Sequence, residues 1–280
     1  MGLALIASLG SETMAGAAAS EGIPWKRSFA AAQAEARRLG RPMVVDFWAE
    51  WCGWCHTLDR TTYLDPAVVQ KLAAFVPVKV NTEGSRAEAE VAMEYGVTSL
   101  PTIAFLTPGG RMLLRVSGYQ PPAIFAQTVG LAKEKSAEVD GWDRRLKAQP
   151  NDPAALAGLG LHLVEQESFD EGMGLLERAR RVDAKLPSVE RKRVRLALGI
   201  LHRAERGFDA SEAVLKEGLA IKPADDDTDA QLLFVLGRLY LSWGRTEQGV
   251  ATLKKLIADH PKSRASERAR RALAFIDSTS

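Results

Sequence analysis

The sequence predicts an α/β domain followed by an all-α repeat array, and three observations carry that prediction. Helical and strand-like segments alternate from Ile23 to about Glu138, and one strand, Met43 to Ala49, leads almost directly into Cys52-Gly53-Trp54-Cys55. From Asp152 onward the strand signal disappears and Leu-Gly pairs recur at 159–160, 198–199 and 236–237, steps of 39 and 38 residues. Alternation of the first kind builds a sheet covered by helices. Self-similarity at a fixed period marks stacked helical units.

The first domain opens with an Ala-rich segment, Ser28 to Leu39, that ends at Gly40, a helix stop. After the strand Met43 to Ala49, the segment beyond Cys52 is helical and breaks at Asp65-Pro66, where Asp65 can cap a second piece through Leu72. Phe75 to Val80 reads as a strand and Ala87 to Tyr95 as a helix stopped by Gly96. Thr102 to Leu106 and Met112 to Ser117 read as a hairpin around Pro108-Gly109-Gly110, and a last helix runs from Pro122 towards Lys135. With 280 residues and 46% hydrophobic content the chain can fill two cores. The expected division is 21–138 and 142–280, with a polar junction at Val139-Asp140-Gly141 flexible enough for a fragment ending near Glu138 to fold alone.

Cys52 and Cys55 are the only cysteines. A helix starting at Cys52 aims unpaired backbone N–H groups and the positive end of its dipole at that sulfur, favouring thiolate over thiol. Two intervening residues let Cys55 reach back and close a disulfide, releasing whatever Cys52 has captured. Structural zinc wants four ligands, and neither a second pair nor clustered histidines are present. A disulfide closing so short a loop gains little chain entropy, which argues against a purely structural bond.

The formal charge of +2 does not point to nucleic acid, and the basic runs Arg191-Lys192-Arg193 with Arg195, and Arg264 to Arg271, read as solvated helix faces. No apolar run reaches membrane-spanning length. Residues 1–20 read as a signal peptide or a disordered tail. Leu3 to Leu9 is apolar and Ala17-Ala18-Ala19 suits a cleavage site, but no basic residue precedes them and Glu12 interrupts. Export, to a periplasm or similar compartment, is favoured over cytoplasmic residence.

The order of elements and several separate residues of the first domain resemble thioredoxin over roughly 115 residues. Asp46 matches that family's buried aspartate, Lys79 the lysine beside it, Leu100-Pro101-Thr102 the loop whose cis-proline faces the active site, and Gly118 the glycine after the last strand. Trp25, the helix before Arg41-Pro42, and Tyr63 to Val69 resemble the C-terminal domain of the periplasmic transmembrane thiol reductant. Gly53-Trp54 departs from the Gly-Pro of thioredoxin, which bears on redox potential.

The resemblance implies Cys52 as the more exposed nucleophile, Cys55 as the resolving thiol, and Asp46, behind Cys55, as acceptor of the Cys55 proton with Lys79 balancing its charge. An ordinary buried ion pair is the alternative for those two. A cis bond before Pro101 would turn the Leu100 backbone towards a bound peptide, beside Thr102. Trp51 and Trp54 flank the sulfurs and, with Gly53, offer an apolar landing surface. No metal and no cofactor beyond the Cys52/Cys55 disulfide are implied.

The C-terminal half resembles three tetratricopeptide repeats, longer than the usual 34 residues, with Arg264 to Ile276 as a closing helix. Gly172, Ser211 and Gly249 occupy the small position of each unit. Such arrays present a surface for peptides or proteins. The function expected is reduction of disulfides in protein clients that the repeats recruit, with electrons from an upstream thiol donor. The alternative is a chaperedoxin-like holdase that binds unfolded clients.

Overall fold

The computed structural model describes residues 22–279. Residues 1–20, read above as a leader or tail, lie outside them.

The N-terminal part is a four-stranded sheet, β1 (Met43–Trp48), β2 (Val76–Asn81), β3 (Thr102–Leu106) and β4 (Met112–Ser117), in the order β2-β1-β3-β4. β1 runs parallel to β2 and antiparallel to β3, and β4 closes the hairpin on β3. Lys26 adds a single parallel bridge to Val78. Strand alternation sends Met43, Val45 and Phe47 into one core with α1 (Phe29–Leu39) and α4 (Arg86–Glu94). It sends Val44 into the other with Leu58 of α2 (Gly53–Arg60), Val68 of α3 (Pro66–Leu72) and Phe125 of α5 (Pro122–Ala148). Asp46 and Lys79, paired in register, therefore share the face that α2 covers.

Caps set these helices where the sequence placed them. Ser28 accepts from Ala31 N–H, Asp65 from Ala67 and Val68 N–H, and Ser85 forms a capping box with Glu88.

Three helix pairs follow: α6 (Pro153–Glu165) with α7 (Phe169–Val182), α8 (Ser188–Ala204) with α9 (Phe208–Ala220), and α10 (Asp226–Ser242) with α11 (Thr246–Asp259); α12 (Arg264–Thr279) closes the array. The recurring small residues sit where the helices of a pair cross. A Cβ on Gly160 would lie 3.2 Å from Gly172 O, and one on Gly172 would lie 3.1 Å from Gly160 O. Gly237 and Gly249 repeat this crossing, while in the middle pair Ser211 donates its hydroxyl to Gly199 O at 2.7 Å.

Two expectations are overturned. The supposed junction at Val139-Asp140-Gly141 lies inside α5, which runs unbroken for 27 residues with Val139 fully buried. Leu159 and Leu163 of α6 complete the same core as Phe125 and Val129, with Trp142 and Leu146 packed against it. That burial outweighs the roughly 1 kcal/mol helix penalty of Gly141. Arg111 of the β3–β4 turn also binds Asp143 and Glu171 at 2.8 and 2.7 Å, and Arg115 binds Glu167 at 3.3 Å.

The second overturned expectation concerns the basic run on α8, which is not wholly solvated. Lys192 and Arg195 are buried, Lys192 against Asp229 and Arg195 against Asp183 and Glu217. The partners come from other helices, so spacing along α8 gave no sign of them.

Candidate active site

Cys52 caps the N-terminus of α2 in an extended conformation and is joined to Cys55 by a disulfide, Cα to Cα 5.2 Å. The Cys55 backbone N–H points at Cys52 Sγ from 3.2 Å. A negative charge on Cys52 thus meets a donor and the helix dipole, whereas Cys55 lies within the first turn. In this oxidised form both residues are covered, 3% and 1% exposed, so the expected greater exposure of Cys52 is slight. The asymmetry between the sulfurs is electrostatic. His56, adjacent to the pair, engages Glu50 O through Nε2 at 2.8 Å.

Two large aromatic side chains beside the disulfide face solvent. Trp51 and Trp54 are 67% and 62% exposed. Trp51 donates its indole N–H to Glu83 at 2.7 Å, and Trp54 stacks at a tilt on Tyr119, ring centres 5.4 Å apart. A Cβ on Gly53 would meet nothing within 4 Å. The Leu100–Pro101 peptide is cis. Its loop is tied down by Gly118 N–H donating to Pro101 O at 2.8 Å and by the Thr102 hydroxyl donating to Ser99 O at 2.7 Å. Gly118 has φ +85°, a conformation suited to glycine.

Beneath α2 lies a charged cluster. Asp46 is fully buried, with Lys79 Nζ 2.8 Å from Oδ2, yet neither Asp46 oxygen receives a well-aligned hydrogen bond. Burial pushes the Asp46 carboxyl above its ordinary pKa, and the Lys79 charge opposes this only in part. Lys79 is shared: its ammonium also lies 2.5 Å from Asp59, whose side chain is 40% exposed. The rings of Trp25 and Tyr63 lie 5.3 Å from Lys79 Nζ. Burial, then the Asp46 and Asp59 charges, drive the Tyr63 hydroxyl well above its usual pKa.

Asp59 was not singled out in the sequence. Its signal was there: it follows Cys55 by four residues and so lies on the same stripe of α2. It connects the buried Asp46–Lys79 pair to solvent.

A model of the thioredoxin-like domain matches residues 29–133. Residues 29–133 form a thioredoxin-like domain. The chain is 36% identical over 81 residues to the thiol:disulfide interchange protein DsbD 1 of Pseudomonas aeruginosa, covering 29% of this chain and 14% of that protein. It is 38% identical over 88 residues to the chloroplastic M-type thioredoxin of Chlamydomonas reinhardtii, covering 31% and 59%. A solution structure of a thioredoxin from Thermus thermophilus aligns with 28% identity and a TM-score of 0.38, covering 41% of this chain and 90% of that one. The matched region thus spans only part of each curated relative. The thioredoxin-like domain match ends before the helix pairs begin. No helix among the described residues is long and apolar enough to cross a membrane.

Proposed function

We propose that this protein is a thiol–disulfide oxidoreductase that reduces disulfides of protein clients through Cys52 and Cys55, with the helix pairs recruiting the client. The observation that carries the reading is the Cys52–Cys55 disulfide at the start of α2, with the Cys55 N–H directed at Cys52 Sγ. In the reduced form the Cys52 thiolate attacks a client disulfide, forming a mixed disulfide and expelling one client thiolate. Cys55 then loses its proton and attacks Cys52 Sγ, so the second client thiolate leaves and the Cys52–Cys55 bond forms. Two electrons pass to the client. An upstream dithiol donor restores the pair by the same exchange in reverse.

Asp46, raised in proton affinity by burial on the face that α2 covers, is suited to accept the Cys55 proton, and Lys79 with Asp59 is suited to carry charge between it and solvent. The loop of Leu100, cis-Pro101 and Thr102 offers backbone for pairing with an extended client, and Trp51, Gly53 and Trp54 offer an apolar bed. The test is a cysteine pair of variants: Cys52→Ser should abolish insulin reduction, and Cys55→Ser should accumulate mixed disulfides. Retained activity in Cys52→Ser, or faster alkylation of Cys55 than of Cys52 in the reduced protein, would refute the assignment.

The exposed Trp51 and Trp54 also favour a second reading, a holdase of the chaperedoxin kind. Suppression of client aggregation by a Cys52→Ser/Cys55→Ser protein, at the level of the wild type, would favour it. We further propose residence outside the cytoplasm, supported by the likeness to DsbD proteins, with the mature N-terminus as the deciding measurement.

A further inference from the structure

We infer that the groove between α8, α10 and α12 docks an extended, carboxylate-rich protein segment with apolar side chains among its acidic ones. This names the chemistry of the partner recruited in the function proposed above and rests on that reading for its purpose. The groove has a volume of about 1470 Å³ and is lined by the first helices of the second and third pairs and by the closing helix. Six cations border it: Arg203, Arg238, Lys262, Arg264, Arg268 and Arg271. Among the described residues a single carboxylate, Asp227, lines it with them. The whole chain carries only +2, so this one groove concentrates more positive charge than the molecule has net.

No described carboxylate neutralises these cations. None of the six takes part in an ion pair with a described residue, in contrast to Lys192 and Arg195 of the same array. Arg203 Nε is buried and has no hydrogen-bond partner. The floor is apolar, formed by Leu196, Ile200, Phe234 and Val235. Cationic walls over such a floor suit a chain that alternates carboxylates with aliphatic side chains. Single-stranded nucleic acid fits less well, because it stacks successive bases on a run of ring faces, and among the described residues only two rings, Phe234 and Phe275, line the groove. The Phe234 ring is already covered by the Arg268 guanidinium, 4.3 Å from its centre.

The full-length oxidised protein should be titrated against fluorescein-labelled (Glu-Glu-Leu)4, its (Lys-Lys-Leu)4 counterpart and a dodecathymidylate strand, following anisotropy. Only the acidic peptide should bind well, and its affinity should fall as salt rises from about 50 mM to about 500 mM. Arg238→Glu with Arg271→Glu reverses two exposed charges and should weaken that binding by about tenfold or more. Insulin reduction should be unchanged. Equal affinity for both peptides, insensitivity to the double reversal, or tighter binding of the oligonucleotide would each overturn the inference. Acidic-peptide binding in a protein that proves unable to exchange disulfides would sink the redox reading and leave the groove assignment standing. Intact insulin reduction without peptide binding would do the opposite.

Discussion

Replacing Leu163 by alanine tests whether the thioredoxin-like domain borrows its core from the first helix pair. Leu163 is 1% exposed and belongs to the cluster that contains Phe125, Val129 and Leu113. Deleting its branched end removes the equivalent of three methylenes, about 2.4 kcal/mol at 0.8 kcal/mol each, before any cavity left behind is counted. A total near 3 kcal/mol lowers a folding equilibrium by about two orders of magnitude. Hydrogen exchange read by mass spectrometry should show protection falling by about that factor in peptides covering β4 and the first turns of α5, as well as in α6. If only the helix pairs loosened while β4 and Phe125 kept wild-type protection, the shared core would be wrong. The same reasoning reverses the expectation for a fragment ending at Glu138. It would lose Val139, Trp142, Leu146, Leu159 and Leu163 from one cluster and should not unfold cooperatively.

Three further outcomes are expected. Because burial raises the Asp46 pKa, its contribution to stability is complete below the ordinary carboxylate pKa and is lost as pH rises through the folded-state value, so Asp46→Asn should gain on the wild type as pH rises from about 4 to about 8. A urea-midpoint difference that stays constant over that window would rule out Asp46 ionisation as the cause. On α7, Gly174→Ala meets open space and should stabilise by about 0.5–1 kcal/mol, while Gly172→Ala, whose Cβ would lie 2.8 Å from Val164 and 3.1 Å from Gly160 O, should destabilise by about 1–3 kcal/mol. Equal shifts in thermal midpoint would contradict the close crossing. Asp229→Ala strands the buried Lys192 and should cost about 3–5 kcal/mol, most of it recovered when Lys192→Met is added to Asp229→Leu. A double variant as unstable as the single one would mean that the loss comes from packing.

Local chemistry wrote the elements into the sequence. Ser28, Asp65 and Ser85 cap helices, Gly40 stops one, and Pro108-Gly109-Gly110 turns a hairpin, each through bonds or dihedrals within a few residues. The Cys52/Cys55 pair was legible for the same reason, since its geometry is a property of one helical turn. The Leu-Gly recurrence was legible because a helix crossing demands a small residue at a fixed place in every pair.

What only the tertiary structure decided are the contacts between segments distant in sequence. Asp59 meets Lys79 across 20 residues, and Arg195 meets Glu217 across 22, with nothing local to announce either. Val139-Asp140-Gly141 read as a hinge because polarity and glycine are local signals, whereas Leu159 and Leu163 arrive from the next helix to bury Val139 and keep α5 whole. Likewise the basic residues of α8 and α12 look alike in sequence, and it is the carboxylates of other helices that bury one set while the other borders an open groove. A charge is neutral to fold until its partner is known, and the partner is chosen by the packing of the whole chain.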